Sequence, residues 1–249
     1  MITEFLRRRA AVAACAGLLL SAALILWIGN FTDIDIALAD AAFDRATRSF
    51  PMQHAWLAET FNHVILKSLF SALGAFAVMR AIWDAVRPAP HWSATYRNGV
   101  RVLAMSAVFV PLVISLLKRA SVSHCPWDLQ RYGGAAPYIR LLEWMPAGIE
   151  PGHCMPGGHA SSALWLIAIA AFWWPGNRLK ALAAGGAMLV LGGIVGWLQQ
   201  LRGAHFLTHT LWSMWVACAL VLAIYFVNAR LPAWLGAVRR VVAWRGRRA

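Results

Sequence analysis

Two short segments carry the side chains best suited to chemistry: Met155-Pro156-Gly157-Gly158-His159 and Arg202-Gly203-Ala204-His205-Phe206, each lying where an apolar run begins. A helix N-terminus offers unpaired backbone N–H groups and a partial positive charge. Glycine lets an anion approach that backbone closely, and a histidine there can attack phosphorus or hand over a proton. The combination points to phosphoryl chemistry. Other polar residues gather between the same runs: Lys118 and Arg119, then Cys125, Asp128 and Arg131, then Cys154. His209 follows His205 by four residues, on the same face if a helix has begun.

These residues must be positioned by elements that sit in lipid. The chain is 60% hydrophobic and 13% charged and holds 14 tryptophans, a composition that removes it from the soluble globular class. Apolar runs at about 10–31, 64–83, 102–117, 159–175, 181–201 and 206–229 each approach the length that crosses roughly 30 Å of hydrocarbon. The expectation is an all-α integral-membrane protein, one domain over residues 1–249, built as a six-transmembrane-helix bundle with the site at the outer ends of the helices. Residues 7–9, all arginine, precede the first run. Its length and the lack of a cleavage site before Asp33 read as a retained span rather than a removed signal.

The formal charge of +13 would suggest nucleic acid in a soluble protein. With both termini cytoplasmic, 15 of the 23 Lys/Arg fall on the inner side with two acids, Glu4 and Asp84, and eight fall outside with eight acids. The excess is therefore the positive-inside signal, and no nucleic-acid partner is expected. The basic tail from Arg239 to Arg248 is expected to lie on anionic lipid headgroups of the bilayer. This topology places seven of eight histidines on the periplasmic or extracellular side of a cytoplasmic (inner) membrane. His54, His63, His124 and His153 read as polar anchors at the interface, and residues 32–63 as a segment along the outer surface. Gly192, Gly193 and Gly196 lie inside an apolar run and read as sites of close helix packing.

The arrangement resembles the type 2 phosphatidic acid phosphatase superfamily, the lipid phosphate phosphatases related to vanadium haloperoxidases. Its pattern runs Lys-x6-Arg-Pro, Pro-Ser-Gly-His, then Ser-Arg-x5-His-x3-Asp. Here Lys118 is followed at the matching distance by Cys125-Pro126, the second part is Pro156-Gly157-Gly158-His159, and the third retains His205 with Gln199 in place of arginine and His209 in place of aspartate. The match extends over about residues 102–229 and marks a divergent branch.

The resemblance implies a lipid phosphate phosphatase acting on a phosphomonoester or diphosphate, without cofactor or metal. Phosphatidate, phosphatidylglycerophosphate, polyprenyl diphosphate and lipid A phosphates are all candidate substrates. By resemblance His205 is the nucleophile that becomes phosphohistidine and His159 the general acid. Lys118, Arg202 and Arg131 would neutralise phosphate, Arg202 and Arg131 replacing the lost cations, with the N–H groups of Gly157 and Gly158 assisting. His209 or Asp128 would orient His205. Cys125 and Cys154, in one outward loop, form a candidate disulfide. Two alternatives stand beside this reading: a metal-dependent hydrolase using His159, His205 and His209, and a degenerate protein that binds or transports phospholipid without turnover.

Overall fold

The computed structural model describes the backbone of residues 2–245 and the side chains of residues 9–229. The basic tail read as a headgroup-binding segment lies outside the described side chains. Helix α1 (Ile2–Phe31) is followed by the short α2 (Ile34–Ala42). A π-helical stretch (Leu57–Leu66) runs directly into α3 (Lys67–Val86), and α4 (Ala94–Ala120) follows. Helix α5 (Gly158–Leu164) continues as a 3-10 helix (Trp165–Phe172), and α6 (Arg178–Leu201) and α7 (Leu207–Arg245) complete the bundle. Outside helices, the regular pairing among the described residues is limited to the bridges Asp44 with Ser49 and Leu129 with Ala136.

Local chemistry sets several of these boundaries. The Ser93 hydroxyl accepts the Tyr96 N–H at 3.1 Å just after the Pro88 and Pro90 breakers, and the Asn177 side chain accepts the Lys180 N–H at 3.0 Å. The N-terminus of α7 is held from elsewhere in the chain. The buried Asp35 of α2 accepts the Thr208 N–H at 3.0 Å and also the Thr208 hydroxyl, placing a carboxylate on the positive end of the helix. Burial pushes the Asp35 carboxyl above the usual aspartate value, and the hydrogen bonds from Thr208 act against that rise.

Among the described residues, five helices are long and apolar enough to cross a membrane: Arg9–Phe31, Leu57–Val86, Ala94–Ala120, Arg178–Leu201 and Leu207–Ala229. The expected fourth span, 159–175, is instead a shorter helix, Gly158–Phe172. Eight of its residues are 3-10, which rises about 2 Å per residue against 1.5 Å in an α-helix, so the stretch reaches roughly 26 Å. It runs through the centre of the bundle, where Ala160, Leu164, Trp165 and Ala168 pack with Val102, Val110 and Ile114 of α4 and Ala217 and Val221 of α7. A Cβ on Gly192 would overlap the Leu164 side chain, and one on Gly196 would overlap Thr210, so these two glycines let α6 approach α5 and α7.

The second span differs from expectation at its start. Helix begins at Leu57, so Glu59, Asn62 and His63 belong to a helix long and apolar enough to cross a membrane rather than to a surface strap. Asn62 is buried and donates to the Val195 carbonyl of α6 at 3.2 Å. The polar residues Glu59, Asn62 and His63 interrupt the apolar run, and for that reason hydropathy alone starts the span at 64.

Candidate active site

Five helix ends meet at one end of the bundle: the start of the π-helix, the end of α4, the start of α5, the end of α6 and the start of α7. The intervening loop, 121–157, pairs with itself. Gly152, His153 and Cys154 donate their N–H groups to the carbonyls of Val122, Ser121 and Ser123. A Cβ on Gly152 would collide with the His124 backbone, so this close pairing requires glycine. The ladder brings Cys125 and Cys154 together, joined by a disulfide with Cα atoms 5.3 Å apart. In the chain-entropy account a loop of this length contributes about 3–4 kcal/mol. Peptide mapping of non-reduced protein taken from the membrane should find the two cysteines linked, and reductant should lower both thermal midpoint and turnover; free thiols in fully active protein would count against the bridge.

Three of the expected site histidines are clustered. The ring of His205 lies 6.1 Å from that of His159 and 5.7 Å from that of His209, measured between centroids. A Cβ on Gly157 would meet His205 Cδ2 at 3.4 Å, and one on Gly158 would meet Lys118 Cδ at 3.7 Å, so the end of α4 and the start of α5 close over the same space. His205 is buried. Burial, then the neighbouring His209, Lys118 and His159, hold its imidazole well below the usual histidine value, keeping it in the neutral, nucleophilic form. Its Nδ1 faces Cys154 Sγ at 3.4 Å, and the ring also hydrogen-bonds the Cys154 backbone.

Arg202 also reaches this cluster. It is buried, donates from Nε to the Gln53 carbonyl at 3.0 Å and from Nη1 to Gln199 Oε1 at 3.1 Å, and its Cζ lies 5.9 Å from the Trp127 ring centroid. Its charge and that of Lys118 are both felt at His159. The glutamine that stands in place of the family arginine thus holds a guanidinium supplied one turn later.

Four expected roles need correction. The Arg131 guanidinium is engaged by Asp40 through two hydrogen bonds, at 2.8 and 2.5 Å, and that pairing holds the Asp40 carboxyl below its usual value. Its fork is therefore occupied by a carboxylate of α2 and is not presented to the histidines. Asp128 accepts the Cys125 N–H at 3.3 Å, so it caps a 3-10 turn (Pro126–Asp128) and does not orient His205. Gly157 donates its N–H to the His209 carbonyl at 3.0 Å, which removes that donor from anion binding; Gly158 opens α5, where first-turn N–H groups have no helical partner. His209 does not hydrogen-bond His205: its Nδ1 is buried without a partner, and it contributes through its backbone. The His209 carbonyl receives the Gly157 N–H and the Ser213 hydroxyl, and that hydroxyl also lies 2.9 Å from the Gly157 carbonyl, fastening α7 to the mouth of α5.

One site residue was missed. His63, read as an interfacial anchor, has its ring centroid 4.2 Å from that of His159. Lys67, one turn further along, is among the charges felt at His159. The helical spacing from His63 to Lys67 was visible in the sequence, but nothing there paired this helix with α5. His153, by contrast, is exposed.

A possible metal constellation also differs from expectation. Among the described residues the group with ligand atoms within 4.8 Å of one another is Cys125, Cys154 and His205, not the three histidines, and its two sulfurs are bonded to each other.

No match was found among the curated proteins or among solved structures. The family model described as the PAP2 superfamily matches residues 99–232, which contain Lys118, His159, Arg202 and His205 and make up more than half of the chain, and the chain belongs to that superfamily.

Proposed function

We propose that the chain is a membrane-embedded phosphatase that removes phosphate from a lipid headgroup at the outer face of the cytoplasmic membrane, through a phosphohistidine on His205. The observation that carries this reading is the convergence of His205, His159, Lys118 and Arg202 at one end of the bundle. Six passes with both termini inside are part of the same proposal, with Gly158–Phe172 as the short central pass.

In the first half-reaction, His205 Nε2 attacks phosphorus while Lys118, Arg202 and the Gly158 N–H neutralise the phosphate oxygens and His159 protonates the departing oxygen. In the second, water attacks the phosphohistidine and gives its proton to His159, which restores both imidazoles. A buried, neutral His205 beside fixed cations suits this sequence, because an imidazolium has no lone pair to offer phosphorus. The family's general chemistry of phosphate-ester hydrolysis supports the reaction class.

The test is inorganic phosphate release by purified protein in EDTA, over a panel of lipid phosphomonoesters and diphosphates, with His205→Ala alongside. Release by the wild type alone is the expected result. Tight lipid binding with no release from any substrate would favour a binding protein, and release only with added metal would favour metal-assisted hydrolysis.

A further inference from the structure

We propose that Leu142 and Trp144, at the tip of loop 121–157, form a membrane-interface anchor that seats this loop in the lipid leaflet at the site end of the bundle. The inference stands on α1 crossing the bilayer and is independent of the phosphatase reading. Leu142 is 66% exposed and Trp144 96%, so protein covers little of either side chain. Leaving both in water forgoes the gain from burying their apolar surface. Tryptophan is enriched where a bilayer meets water, because its ring is apolar and its N–H polar.

Hydrogen bonds fix the tip at the level where α1 leaves the apolar layer. Leu20, Leu24, Trp27 and Phe31 of α1 are exposed along one face of the helix, and the apolar run ends at Thr32 and Asp33. The Leu142 N–H donates to Asn30 Oδ1 at 2.9 Å, while Arg140 donates from Nη1 to the Thr32 carbonyl at 2.6 Å and from Nη2 to Asp33 Oδ1 at 2.5 Å. Asn30 precedes Phe31 by one residue, a rise of about 1.5 Å, so Leu142 is held close to the end of that run. Glu143, the one charged residue between Leu141 and Ile149, is turned back toward the base of the loop. Its Oε2 accepts the Arg140 N–H at 2.8 Å, its Oε1 lies 4.0 Å from Arg140 Nε, and its own N–H closes a turn on the Arg140 carbonyl at 3.0 Å. The tip thus offers apolar side chains while its charges pair at the base, and a lipid surface is the partner already present at that level. Tyr138 and Arg140, at the base, line a cavity of about 30 Å³ together with Thr208 and His209, which places the anchor beside the histidine cluster.

The test places a nitroxide on Leu142→Cys in the whole chain, with Cys15→Ala and Cys218→Ala and the disulfide left intact, reconstituted in vesicles of phosphatidylcholine and phosphatidylglycerol. Collisions of the label with oxygen, which concentrates in lipid, and with a water-soluble nickel chelate report its depth. The oxygen-to-nickel ratio at 142 should exceed several-fold the ratio at Ala46→Cys, in an exposed turn flanked by Arg45, Thr47 and Arg48. Adding Trp144→Asp, which removes no packing contact of consequence, should bring the ratio at 142 down to that reference. Equal ratios at 142 and 46 would overturn the lipid contact, and a high ratio that survives Trp144→Asp would overturn the anchoring role of Trp144. Shielding of the label from both reagents, the mark of a second copy or another protein, would overturn the lipid assignment as well. No turnover is read, so a chain that releases no phosphate would end the phosphatase reading and leave this inference standing.

Discussion

Replacing His205 with alanine is expected to abolish phosphate release, by roughly 10⁴-fold or more, because it removes the atom to which phosphorus is transferred. The ring is buried beside Cys154 and Gly157, and its polar contacts are with the sulfur and backbone of Cys154, so its loss frees one residue's groups and no charged partner. The variant should still fold and elute as wild type does. His159→Ala should retain the covalent step but lose proton delivery, a loss of about 10²- to 10⁴-fold that is smallest for substrates with good leaving groups. His153→Ala, altering an exposed loop residue, should leave turnover close to wild type. Acid-labile phosphate should be trapped on wild type after brief incubation with substrate and be missing from His205→Ala. A well-folded His205→Ala protein with normal phosphate release would end the phosphohistidine mechanism.

Arg202→Lys is expected to reduce kcat/KM by roughly ten- to a hundredfold although the charge is kept. The guanidinium spends Nε on the Gln53 carbonyl and Nη1 on Gln199, a geometry that holds its plane, and in the proposed mechanism Nη2 is the donor left for phosphate. A lysine has three donors on one atom and cannot reproduce that fork. A charge-assisted hydrogen bond contributes about 1.5–3 kcal/mol, which sets the size of the effect. Arg131→Ala serves as the control, since its guanidinium is occupied by Asp40, and it should alter stability more than turnover. If Arg202→Lys behaved as wild type and Arg131→Ala did not, the two cations would have to exchange roles.

Part of this was legible because histidine and lysine beside apolar helix ends are costly in lipid unless they do something there. His159, His205, Lys118 and the apolar runs could be read from residue type and spacing alone. What could not be read was pairing across the chain. Arg131 and Arg202 are equivalent as letters near the same motifs, and only the fold gives Asp40 to one and Gln199 to the other. Asp128 sits close in sequence to Cys125 and turns inward to cap its own 3-10 turn, which local spacing permits but does not require. Glu59, Asn62 and His63 moved the start of the second span to 64 on hydropathy grounds, yet the helix carries them, and the His63 ring lies beside that of His159. The central helix was overestimated in length because its apolar run reaches Trp174, whereas its 3-10 geometry covers distance with fewer residues.

The carboxylate that holds the start of α7 carries a practical corollary for anyone seeking a minimal enzyme. Asp35 caps that helix, Gln53 accepts from Arg202 and the His63 ring lies beside that of His159, and all three precede residue 99, where the family match begins. The matched stretch is therefore not a separable module. A chain cut just ahead of α4, or a chimera that grafts residues 99–232 onto a foreign first half, would keep every recognised motif and lose the groups that aim them. Comparisons of activity between relatives should accordingly be made on whole chains, with the segment from α2 through the π-helical stretch treated as part of the site's heredity.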